Sequence, residues 1–127
     1  MQRIVSSTRY TESRNRDFNS DGTPVTSPKG ARFGMQVMPS TAHNPGFGIP
    51  PVTAETPSEY NRVGNAYDAA MYNRYGGDPA KVYGAYNMGP GAMDRRLAQY
   101  GDGWLNHSPL ETRKYVANNM SLYQRNH

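Results

Sequence analysis

Glycine and proline cut this chain into short pieces. Thirteen Gly and ten Pro stand among 127 residues, where average usage would give about 12% of positions to the two together. They gather at Gly22–Pro24, Gly46–Pro51, Gly76-Gly77 and Gly89-Pro90-Gly91, and each such cluster stops a helix or turns the chain. The elements between them must be short and joined by long loops. They must also pack with little aliphatic material, because Leu, Ile, Val and Phe number only sixteen, a level at which disorder becomes plausible. Ten Tyr, seven Met and one Trp, with a net charge of only +4, pull the other way. The expectation is one small, turn-rich domain over residues 1–127, packed with Tyr and Met.

Periodicity places the helices. Ile4, Val5, Thr8 and Thr11 or Glu12 recur at helical spacing over about residues 3–15, whereas residues 17–34 read as a loop or hairpin. Pro39 fits the first position of a short helix, and residues 43–55 should be irregular. Thr56-Pro57-Ser58-Glu59 has the form of a capping box. It precedes Tyr60, Val63, Tyr67, Ala70, Met71 and Tyr75 at three- and four-residue steps, ending at Gly76-Gly77. Asp78-Pro79 opens a helix through Val82, Ala85 and Tyr86 that Gly89-Pro90-Gly91 breaks. Met93, Leu97 and Tyr100 mark another, and Ser108-Pro109-Leu110-Glu111 reads as a second capping box before Val116, Met120 and Tyr123. The fold class is therefore mainly α, with at most one short β-hairpin between Phe18 and Pro28.

Composition also removes functions. With no cysteine there is no disulfide, thiolate metal site or cysteine nucleophile. No apolar run is long enough to span a membrane, and Met1–Ser7 lack the apolar stretch of a secretory signal. A pI near 9.5 would suit an anionic partner such as nucleic acid or a bacterial wall. The basic residues are scattered, with Arg95-Arg96 and Arg113-Lys114 the adjacent pairs, so a solvated basic surface is expected and no nucleic-acid partner.

Few residues could carry chemistry. Glu12 ends a weakly apolar helix and precedes a loop able to fold over it. A carboxyl held against apolar neighbours has a raised pKa and can donate a proton near neutrality; otherwise Glu12 is a solvated helix-end acid. Gln36 lies inside the apolar run Gly34–Pro39, so its amide is either an internal brace or a ligand contact. Tyr86 and Asn87 set an aromatic ring and an amide beside a sharp turn, which suits a sugar face, although Asn87 could simply cap its helix. Glu111 is explained by its capping box. Asp17–Gly22 matches the first half of a calcium loop, but its twelfth position is Pro28. His43, His107 and His127 form no metal-ligand pair, and no metal or other cofactor is expected.

Together these pieces resemble the lytic transglycosylases that cleave bacterial peptidoglycan, a branch of the lysozyme-like superfamily. Four segments follow the family's order: Glu12-Ser13, Ser27–Ala31 with Met35–Ala42, Ala85-Tyr86-Asn87-Met88-Gly89-Pro90-Gly91, and Pro109–Val116. The resemblance implies a small α+β lysozyme-like fold, mainly helical, and a reaction with one catalytic carboxyl. Glu12 would protonate the oxygen between N-acetylmuramic acid and N-acetylglucosamine, then take the proton of the 6-hydroxyl as a 1,6-anhydro ring closes. By the same resemblance Ser27, Gln36 and Met38 line the cleft near the acetamido group, Tyr86 orients Glu12 or the sugar, and Asn87 and Glu111 support the groove.

The chain also departs from the family. Phe33 stands where the family has Gly, and a ring there would crowd the cleft floor. The stretch from Glu12 to Gly30 is about six residues longer than usual, as in phage versions, and only eleven residues precede Glu12, where the family has a further helix. Peptidoglycan strands and other virion proteins are the partners this implies, with the protein carried in a virion and acting on the cell wall. Two other functions share these motifs. One is a water-using hydrolase drawing a second acid from Asp17 or Asp21, and the other is a wall-binding protein blocked by Phe33.

Overall fold

A computed structural model describes residues 1–125. Among them are six α-helices: α1 (Gln2–Ser13), α2 (Pro39–His43), α3 (Pro57–Arg74), α4 (Pro79–Met88), α5 (Pro90–Tyr100) and α6 (Leu110–Arg125), with a 3₁₀ turn at Gly101–Gly103. The predicted helices are all present, and residues 44–55 are irregular, His43 being the last residue of α2. In place of a full hairpin there is an antiparallel bridge between Phe18 and Pro24, followed by bridges from Arg32 to Thr26 and to Val37. His127 lies outside the described residues.

Contacts divide the chain into two compact units, Met1–Ser7 with the chain from Met71 onward, and Thr8–Ala70. In the first, Ile4, Met71, Val82, Tyr83, Ala85, Met93, Trp104 and Val116 are buried, and the hydroxyls of Ser7 and Tyr83 share a hydrogen bond. In the second, Phe33, Met35, Val37, Ala42, Tyr60 and Val63 form the core. Met35, Met71, Met93, Tyr60 and Tyr83 are all fully buried. Tyr and Met thus replace the missing aliphatics: Met fits irregular gaps, and a buried Tyr brings a large ring whose hydroxyl must find a partner.

The breaks follow from local chemistry. Asp78 caps α4 by accepting from the N–H groups of Ala80 and Lys81. Between α4 and α5, Gly89 has φ +89° and ψ 151°, a region open to glycine alone, and Pro90 then starts α5. Of the two expected capping boxes, the first is half formed. The Thr56 hydroxyl accepts from Glu59 N–H, but the Glu59 carboxylate accepts from Thr53 and Arg62 instead. Arg62 foremost, then Thr53, pushes that carboxyl down to about 2. The second box is absent. Ser108 Oγ donates to Trp104 O at 2.7 Å and Ser108 N–H to Leu105 O, closing the preceding turn, and α6 begins two residues later.

Candidate active site

Glu12 sits in the last turn of α1, half-buried. The helix ends just beyond it because Arg14 and Asn15 take left-handed backbone, at φ 57° and 64°. Ser13 seals that end: its hydroxyl donates to Arg9 O at 3.1 Å and accepts from Arg16 N–H at 3.2 Å. The Glu-Ser pair therefore divides its work, Ser13 turning the chain and Glu12 remaining partly open.

Asp17 ties three segments of this unit together. Its Oδ1 accepts from Gly34 N–H at 2.9 Å and from Asn61 Nδ2 at 2.8 Å, while Oδ2 meets the Arg9 guanidinium at 3.2 Å. Burial alone would raise its pKa, but Asn61, Gly34 and Arg9 outweigh it and hold the carboxyl below its ordinary value. Asn61 also accepts from Met35 N–H at 3.0 Å. Arg9 is one turn before Glu12, so the clasp joins the helix bearing Glu12 to α3 and to the loop bearing Gln36. Asp21 is engaged apart from it, accepting from Thr23 N–H and from the Thr23 hydroxyl. Both acids are thus hydrogen-bonded within this unit. Among the described residues no group of three His, Cys, Asp or Glu could hold a metal.

The clasp depends on Gly34 having no side chain. A Cβ there would lie 2.2 Å from Arg9 Nη1, closer than any real contact. Gly34→Ala is expected to evict the guanidinium and break its pair with Asp17, lowering stability by about 1 kcal/mol. Thermal denaturation checks this, and in an Asp17→Asn background the Gly34→Ala change should lower Tm less.

Ser27, Gln36 and Met38 belong to one laced loop. Ser27 Oγ accepts from Ala31 N–H at 3.0 Å, and Ser27 N–H donates to Ala31 O at 2.9 Å. Gln36, at φ 50°, uses its amide as a brace, donating from Nε2 to Phe33 O at 2.8 Å and to Val25 O at 3.2 Å. Met38 is exposed at the start of α2.

Phe33 lies in the core. Its ring is 2% exposed and meets Tyr60 and Phe18 edge to face, at centroid distances of 5.3 and 6.0 Å. Its backbone has φ 63°, where a bulky residue is strained. The ring is thus part of the core of its unit.

In the other unit, Tyr86 and Asn87 are half-buried on α4. Asn87 Oδ1 accepts from the Thr112 hydroxyl at 2.8 Å, so its amide braces α4 against α6, beyond any capping role. Glu111, beside Thr112, is exposed in the first turn of α6.

One group escaped sequence reasoning. Asp68, on α3, is fully buried, and neither carboxyl oxygen has a hydrogen bond of good geometry. Burial pushes its pKa well above the carboxylate range. The neighbouring Thr8 hydroxyl offsets part of this, and the charge of Glu12 adds to it. The only signal in the sequence was an acid within the Tyr60–Gly64–Asp68–Met71 stripe of α3.

The sequence profile of the Transglycosylase SLT domain matches residues 10–107. The chain belongs to this family. Two solved structures are similar to it: the 70 kDa soluble lytic transglycosylase of Escherichia coli, and an inactive mutant of the lytic transglycosylase Slt of Pseudomonas aeruginosa. Each has 27% identity and a TM-score of 0.77, over 97% of this chain and 21% of the other. The SLT-domain chain thus spans about a fifth of the length of either. No curated protein matches it. The helical lysozyme-like fold expected from the sequence is the fold these structures share.

Proposed function

We propose that this SLT-domain chain is a peptidoglycan lytic transglycosylase, cleaving the bond between N-acetylmuramic acid and N-acetylglucosamine with formation of a 1,6-anhydro end. Glu12 as its carboxylic acid gives a proton to the bridging oxygen, and the C1–O bond breaks as the substrate's acetamido oxygen bonds to C1. Glu12, now a carboxylate, takes the proton from the 6-hydroxyl. O6 then bonds to C1, releasing the acetamido group and restoring the acid. No water is consumed, so a single carboxyl suffices where ordinary glycoside hydrolysis uses two. Ser27, Gln36 and Met38 are read as lining the acetamido side, and Tyr86, Asn87 and Glu111 as serving the groove.

The observation that carries this reading is the engagement of Asp17 and Asp21 with Arg9, Gly34, Asn61 and Thr23. Glu12 is half-buried at the end of α1, and the ties of the two aspartates favour the one-carboxyl route over hydrolysis. Burial of Phe33 in the core of its unit supports this reading over a blocked, merely wall-binding protein. Mass spectrometry of the soluble products from purified peptidoglycan tests it. Muropeptides one water lighter than the hydrolytic product are expected. Reducing ends would establish a hydrolase, and no products from folded protein would point to wall binding.

A further inference from the structure

We propose that Phe47 is a stacking platform for one pyranose ring of the glycan strand, an aromatic subsite built on the loop between α2 and α3. This rests on glycan being the substrate, as read above. Ile49 N–H donates to Gly46 O at 2.9 Å, closing a turn whose central pair is Phe47-Gly48. Both central residues have left-handed backbone, at φ 53° and 71°, and Gly46 before them has φ 70°. A turn of that hand ordinarily takes Gly, Asn or Asp at its central positions, and a bulky side chain there is strained. Burial does little to offset the strain, because Phe47 remains 48% exposed.

An exposed Phe needs no explanation by itself, but this one is held out on a pinned base. Pro45 is buried, and Val52 N–H donates to Ala42 O at 3.0 Å. The Arg62 guanidinium on α3 donates to Pro50 O and Pro51 O, each at 3.0 Å, while the Glu59 carboxylate accepts from both Arg62 and Thr53. Tyr67, also on α3, meets the Phe47 ring edge to face at a centroid distance of 5.6 Å, a contact that favours one ring orientation. A side chain set in advance loses little freedom when it binds. The turn lies in the Thr8–Ala70 unit, which also carries Glu12.

The chemistry of the loop selects the occupant. Residues 44–54 contain no charged side chain, so a charged ligand finds no counter-ion on this loop. One ring covers far less than the ~800 Å² per partner of a stable protein interface, but it matches a sugar ring in size. A β-linked N-acetylhexosamine carries its ring substituents equatorially, so its two faces present C–H groups that pack on the electron-rich face of an aromatic ring.

Titration with peptide-free glycan strands, followed through the ring ¹³C signals of labelled phenylalanine, tests the contact directly. A Glu12→Gln background keeps the strands intact. The Phe47 signals should shift as the strand binds, while those of buried Phe33 should not. Phe47→Asn suits the turn and removes the ring, so it should keep Tm and weaken binding about three- to tenfold. With Glu12 restored, it should raise KM by a similar factor and leave kcat unchanged, as for binding that is equal in ground and transition states. Phe47→Tyr keeps the ring and should bind like wild type.

Shifted Phe47 signals together with weaker binding by Phe47→Asn establish the platform. Phe47 signals that stay in place while the strand binds overturn it even if glycan is cleaved normally, and that measurement needs no variant at position 47 to fold. Undiminished affinity in Phe47→Asn, or Phe47→Tyr binding as weakly as Phe47→Asn, overturns it as well. A folded wild type that neither binds nor cleaves the strands overturns the reading of function, and the platform with it.

Discussion

Glu12→Gln is expected to reduce glycan cleavage by about 10²–10⁴-fold, the usual contribution of a positioned proton donor, while the chain stays folded. Gln has the shape of Glu but no titrating proton, so the leaving oxygen would depart unprotonated and no base would collect the 6-hydroxyl proton. The structure adds a second expectation. Glu12 is half-buried in the last turn of α1, so the isosteric Gln fits the same space and Tm should be unchanged. Circular dichroism with an assay of released muropeptides checks both. Wild-type cleavage by the Gln variant would remove Glu12 from the chemistry, and a collapse of Tm would make the loss of activity uninformative.

Phe33→Gly is expected to destabilise the protein by about 2–4 kcal/mol and to leave cleavage per folded molecule unimproved. Removing a buried aromatic side chain costs about 3–5 kcal/mol, here including the edge-to-face contacts with Tyr60 and Phe18. Glycine would release the strain of a left-handed phenylalanine, about 1 kcal/mol at φ 63°, and so offset part of the loss. Thermal denaturation would register the difference as a fall of roughly 5–15 °C. A gain of activity would instead mean that the ring crowds the cleft, as the sequence alone suggested.

The pair Phe33-Gly34 shows why this part of the site could not be read beforehand. As a string it looks like a ring set where the family has Gly. In the structure it is two linked changes: the ring turns into the core, and the bare α-carbon of Gly34 makes room for Arg9, which Asp17 then grips. Both partners are distant in sequence from Gly34, so no local pattern announces them. The roles of Asp17 and Asp21 were open in the sequence for the same reason. Their spacing resembles a metal loop or a spare catalytic acid, yet what a carboxylate does depends on which donors surround it.

The helices and their ends were legible because they are set by nearest neighbours. Gly76-Gly77, Gly89-Pro90 and Gly101 stop helices through backbone geometry alone, and Asp78 and Thr56 begin them through side chains two or three residues away. The failure of the Ser108 box marks the edge of that logic, since Trp104 O, one turn back, won the hydroxyl. Residue types and their order also singled out Glu12, through a Glu-Ser pair followed by three further segments in the family's sequence. Long-range packing alone decided the rest. It turned Phe33 inward and committed Gln36 to Val25 and Phe33. It also buried Asp68 with no hydrogen-bond partner on its carboxyl. Burial acts through space, so one helical stripe read along the sequence could show an acid out of place but not what surrounds it.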